Sequence, residues 1–99
     1  MADPAVNAER IRRIETLLRE RLGATRVEVS DDSHLHVGHE GAKGGAGHFR
    51  ALVVSPRFAG LSRIAAQRLV YDALAELMGP DIHALALRCE PEDPDPVRR

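Results

Sequence analysis

The chain has 99 residues, with 14 Lys and Arg against 15 Asp and Glu, and a single cysteine. That length makes one domain with a modest core, and the near-neutral balance leaves no global basic field for coating nucleic acid. A lone Cys89 excludes an internal disulfide, no signal-peptide apolar core opens the chain, and no run approaches roughly 20 apolar residues, so a cytoplasmic protein is expected.

The first predicted element is a helix. Asp3 before Pro4, or alternatively Asn7, is placed to open it. Ile11, Ile14, Leu18 and Leu22 recur at three- and four-residue spacing, with Leu17 widening the stripe and Arg12, Arg13, Glu15, Arg19 and Glu20 on the solvated remainder. Gly23 supplies the stop. Residues 25–30 alternate, with Thr25, Val27 and Val29 on one side, and read as a half-buried strand. A second strand covers 49–55, FRALVVS, and Pro56, Phe58 and Gly60 punctuate a connection with room for one helical turn.

Ser62 caps a second long helix whose stripe is Leu69, Val70, Ala73, Leu74 and Leu77, ended by Gly79-Pro80. A third strand runs over 82–89. The acidic, proline-rich EPEDPDPVRR after it has little to bury, so residues 91–99 are expected to be a disordered tail on a single domain of residues 1–90. The order is α-β-β-α-β with an extra turn: an α+β fold, two helices covering one face of a three-stranded sheet. Strands one and two suit antiparallel pairing, and the third returns beside one of them by a crossover.

Between the first two strands lies SHLHVGHEGAKGGAGH, four histidines and five glycines in sixteen positions. Connections of this length are uncommon between strands and tend to be functional or disordered. His34-x-His36-x-x-His39 has spacing that suits Zn²⁺ or Ni²⁺. A phosphate cradle needs a strand-loop-helix setting, whereas this segment runs strand to strand. His83 opens the third strand, where strict alternation puts it on the side of Leu85, Leu87 and Cys89; a histidine bonded to backbone at a sheet edge is the plain alternative.

The chain resembles the BolA family over roughly residues 10 to 90. The resemblance is carried by DDSHLH before the loop, HFR and VVSPRFAG after it, RLVYDALAELM in the second helix, and the final IHALAL. It implies an αββααβ fold related to the class II KH topology, which agrees with the element order above. It also implies a partner, a monothiol glutaredoxin, with which BolA-like proteins share a glutathione-ligated [2Fe-2S] cluster in iron–sulfur trafficking and iron sensing. On that pattern His83 is a cluster ligand. His36 is the first choice for the second and His39 the runner-up, with His34 and His48 weaker. No cofactor is expected in the isolated protein, which is expected to be a monomer or weak homodimer.

Two imidazoles replacing two thiolates on one iron is an established variant of such clusters, which explains how a chain with one cysteine handles one. Cys89 lies about 20 Å beyond His83 along an extended strand at about 3.3 Å per residue, and is assigned to packing. Bacterial relatives are also described as DNA-binding regulators of morphology and stress responses. Arg57, Arg63 and Arg68 around the turn before the second helix are the candidate contacts, although three arginines at a helix start are as readily a solvated face. The turn has no GXXG, and exposed aromatics for stacking are nearly absent. The family commonly has Arg-His-Arg at the start of this helix. Here Ala66-Gln67-Arg68 stands there, and only Arg68 matches. No nucleophile–base pair or paired carboxylates stand out, so a non-enzymatic adaptor is expected.

Overall fold

The computed structural model describes residues 4–32 and 46–92. Helix α1 (Pro4–Leu22) is followed by β1 (Arg26–Asp31), β2 (Gly47–Val54), a 3₁₀ turn (Pro56–Phe58), helix α2 (Arg63–Ala73) and β3 (Ile82–Glu90). The element order expected from periodicity is therefore present, including the extra turn. Both helices lie on one face of a mixed sheet ordered β1-β2-β3. β1 and β2 are antiparallel, from Arg26 opposite Val54 to Asp31 opposite Phe49, and β3 returns parallel to β2 after α2.

The α1 stripe is buried at Ile14, Leu18 and Leu22, while Ile11 and Leu17 flank the core. These side chains meet Val27 on β1, Phe49, Ala51 and Val53 on β2, and Val70 and Ala73 on α2 in one apolar cluster. Each fully buried aliphatic contributes roughly 1.5–3 kcal/mol relative to exposure. Gly23 has a φ of 61° and its N–H bonds the Arg19 carbonyl at 3.1 Å, the left-handed helix stop expected of it. Thr25 is exposed and β1 starts one residue later than the alternation suggested.

Two expectations need correction. Asn7 is not a helix cap: it sits within α1, 4% exposed, and its side chain reaches β1 and a second α1 residue. Asp3, the other cap candidate, lies outside the described residues. The second helix is also shorter than its stripe. Ser62 caps it as expected, accepting the Ala65 N–H at 3.1 Å, but regular helix ends at Ala73. Leu74 and Leu77 remain fully buried because residues 74–78 continue in tight turns, with Leu77 N–H bonding Leu74 at 2.8 Å. Of the tail, Pro91 and Glu92 are exposed, and residues 93–99 lie outside the described set.

Candidate functional site

The site lies where the start of β3 meets the head of β2. Gly47 pairs with Ile82 but His48 pairs with Ala84, so β3 carries one extra residue there, His83. Such a bulge breaks the two-residue period and re-aims the side chains around it. Ile82 and Leu85, three apart, are both buried, whereas His83 is exposed. The expectation that His83 shares the side of Leu85, Leu87 and Cys89 is thereby corrected. Alternation assumed an unbroken ladder, and the bulge releases the imidazole from the core side.

His83 is not alone. The His48 ring lies against it with centroids 4.9 Å apart and planes at 50°. His48 is 7% exposed and both its ring nitrogens are buried. The pair thus combines an accessible imidazole with an enclosed one that supports it. His36 and His39, together with His34, lie outside the described residues. On either side of the segment holding them the described chain ends at Asp32, one residue after β1, and resumes at Ala46, one residue before β2. Asp32 N–H bonds the His48 carbonyl at 2.7 Å, and its carboxylate pairs with Arg50 at 3.1 Å, so the chain's departure point is fixed beside His48. Among the described residues no group of three or more His, Cys, Asp or Glu is gathered around a point that would hold a metal ion.

A polar network from α1 underlies the same corner. Asn7 Nδ2 donates to Asp31 Oδ2 at 2.8 Å, and Arg10 donates to Asn7 Oδ1 at 2.9 Å and to Asp81 Oδ1 at 3.2 Å. Arg13 reaches Asp81 Oδ2 at 3.3 Å. Asp81 in turn accepts the Gly47 N–H on its backbone carbonyl at 3.0 Å. The sequence pattern marked Asn7 as a helix opener and Arg13 as solvated, and pointed neither to this network nor to the closeness of His48 to His83. A signal existed for the network: Asn7 and Arg10 stand seven and four residues before Ile14, continuing the buried stripe of α1 with polar residues.

At the far end of β3, an open groove of about 650 Å³ lies between the α2 start and residues 87–91, with Arg63, Gln67 and Arg88 along it. Arg63 and Arg68 are exposed and neither is in an ion pair among the described residues. Arg57 is also exposed, but it donates to the Arg21 carbonyl at 2.9 Å, closing the C-terminal end of α1. Cys89 is half-buried and packed against the core, and burial, with the Glu90 carboxylate adding to it, pushes its thiol pKa up. Cys89 is thus a packing residue, as expected, and its burial disfavours the thiolate.

Comparison with known proteins gives the family and the fold. The family model for BolA-like proteins matches residues 9–93. An uncharacterised protein encoded in the cobS 5′ region of Sinorhizobium sp. is 41% identical over 88 residues, covering 86% of this chain and 92% of that protein. Human BolA-like protein 1 is 44% identical over 75 residues, 76% of this chain but only 53% of the human protein. The solved BolA domain of SufE1 from Arabidopsis thaliana superposes with a TM-score of 0.72 at 34% identity, covering 82% of this chain and 90% of that one.

Proposed function

The chain belongs to the BolA family, and we propose that it is a non-enzymatic adaptor sharing a [2Fe-2S] cluster with a monothiol glutaredoxin and glutathione. The observation that carries this reading is the bulge at β3: it exposes His83 beside the point where the histidine-rich segment rejoins the sheet. An exposed neutral imidazole is a competent iron ligand, and the buried His48 ring limits its orientations. His36, with His39 as the alternative, supplies the second nitrogen. Thiolates of the glutaredoxin and of glutathione complete the four ligands, so the cluster is cargo held only in the complex. Histidine ligation makes its release proton-coupled, which suits transfer or sensing. The cytoplasm is the compartment that fits one unpaired cysteine and a glutathione-dependent partner.

The test is titration of the purified protein into glutathione-ligated [2Fe-2S] glutaredoxin, followed by visible circular dichroism. A new spectrum that His83→Ala abolishes supports the reading. Loss in His36→Ala or in His39→Ala then identifies the loop ligand. An unchanged spectrum with no complex by gel filtration refutes it.

A second reading has one specific observation in its favour. Arg63 and Arg68 are exposed on α2, outside any ion pair of the described residues, and Arg63 lines the groove at the helix start. Duplex DNA is the ligand for such a face, with Arg57 contributing less because of its bond to α1. Affinity is then steeply salt-dependent, and Arg63→Ala/Arg68→Ala flattens the slope by about two counterions. Equal affinity in this variant removes the reading.

A further inference from the structure

We propose that Arg10 is a positioning residue for His83, acting through Asp81; this inference rests on the reading of His83 as a cluster ligand. Three strand ends converge on the site: Asp31 closes β1, Gly47 opens β2, and Asp81 immediately precedes β3. Gly47 pairs with Ile82 and its N–H bonds the Asp81 carbonyl at 3.0 Å, but the ladder is irregular immediately beyond, between Gly47 and His48. The polar residues of α1 add a side-chain constraint at this point.

Arg10 Nε holds Asp81 Oδ1 at 3.2 Å, and the guanidinium is oriented by Asn7 Oδ1 at 2.9 Å. Asn7 is held in turn by Asp31 at 2.8 Å. The Arg10 side chain is 10% exposed and Asp81 21%. The Arg10–Asn7 bond is buried and the Arg10–Asp81 pair is partly shielded from water, and a charge-assisted bond is stronger than a neutral one. Asp81 then passes the constraint to backbone: its N–H bonds the Leu77 carbonyl at 2.9 Å and its carbonyl receives the Gly47 N–H at 3.0 Å. His83 is two residues on. The hold on Asp81 acts on the backbone that presents His83 to the His48 ring, together with the Ile82 N–H bond to the Leu77 carbonyl at 2.9 Å. The same network holds Asp31, next to the residue from which the histidine-rich segment departs. One buried guanidinium therefore relates the root of the loop to the ligand on β3.

Substituting Arg10 removes the donor shared by Asn7 and Asp81 and leaves Asp81 its more exposed contact with Arg13 at 3.3 Å, so some loss of stability is expected in any case. The experiment therefore compares Arg10→Met with Leu18→Ala, which destabilises the core away from the site, and with the conservative Arg10→Lys. The first measurement uses the isolated protein: the proton NMR cross-peaks between the His48 and His83 rings. In Arg10→Met these are lost or split while the amide spectrum of the core remains folded. Arg10→Lys restores them in part, and Leu18→Ala retains them. The second measurement is titration of each variant into [2Fe-2S] glutaredoxin, where Arg10→Met weakens the complex about tenfold. Intact His48–His83 cross-peaks in Arg10→Met overturn the inference. So does a loss of the contact in Leu18→Ala equal to that in Arg10→Met, because the effect is then mere instability. If the wild-type protein itself forms no cluster complex, the reading of His83 as ligand fails, and the NMR comparison still decides whether Arg10 positions its ring.

Discussion

Replacing Gly47 with alanine tests the tightest packing next to the site. A Cβ built there lies 2.5 Å from both Cε2 and Cζ of Phe49 and 3.3 Å from Asn7 Oδ1. Carbon atoms at ease sit about 3.5–4.0 Å apart, so the new methyl overlaps the ring by roughly 1 Å. Gly47 is not among the glycines with positive φ, so backbone strain does not enter and the effect is steric. The ring has little room to withdraw, since Phe49 is 2% exposed and belongs to the core cluster. Overpacking of this kind costs about 1–3 kcal/mol. Displacing Asn7 from its bonds to Arg10 and Asp31 adds about 1 kcal/mol.

A total of about 2–4 kcal/mol is a large share of the roughly 5–15 kcal/mol typical of a domain. With a urea slope of about 2 kcal/mol/M, the unfolding midpoint falls by roughly 1–2 M with the slope unchanged. The decisive assay is a double-mutant cycle with Phe49→Leu, which removes the ring atoms that the methyl meets. In that background Gly47→Ala should cost at least about 1 kcal/mol less. A cost below about 0.5 kcal/mol, or one equal in both backgrounds, would refute the steric argument.

Two further outcomes are expected. Ser55 is fully buried, donates to the Leu22 carbonyl at 2.6 Å and accepts the Arg57 N–H at 3.1 Å, so Ser55→Ala should cost about 1–3 kcal/mol in urea unfolding; a neutral result would deny it that linking role between α1 and the 3₁₀ turn. Burial raises the Cys89 pKa above that of the unfolded chain, so both states hold the proton below about pH 8.5 and stability is unaffected there. Above that pH the unfolded thiol ionises first and stability declines toward the folded pKa. Urea midpoints at pH 8 and pH 10 should thus fall further for wild type than for Cys89→Ala, and an equal fall in both contradicts the assignment.

Much of this protein was legible because its elements are local. The α1 stripe, the alternation around Val27 and Val29, the Ser62 cap and the Gly23 stop each depend on residues within one or two turns, and those periods survive folding. The histidine-rich segment was conspicuous by composition alone, and the BolA resemblance rested on short motifs in the two strands and the second helix. The exposure of His83 was not legible. It depends on how β3 registers against β2, a chain segment some 35 residues away, and a single extra residue reverses which side chains face the core.

Likewise Asn7 and Arg57 read as a cap and a phosphate contact, because an isolated polar residue near a helix end has several uses. Only packing assigns Asn7 to Asp31 and Arg10, and Arg57 to the end of α1. The sequence by itself determined which segments are helix and strand and which residue types gather at the loop. Tertiary structure decided that His83 is exposed against a buried His48 and that Asn7, Arg10 and Asp81 are linked, because those depend on bonds between residues far apart in the chain, formed only once the strand ends converge.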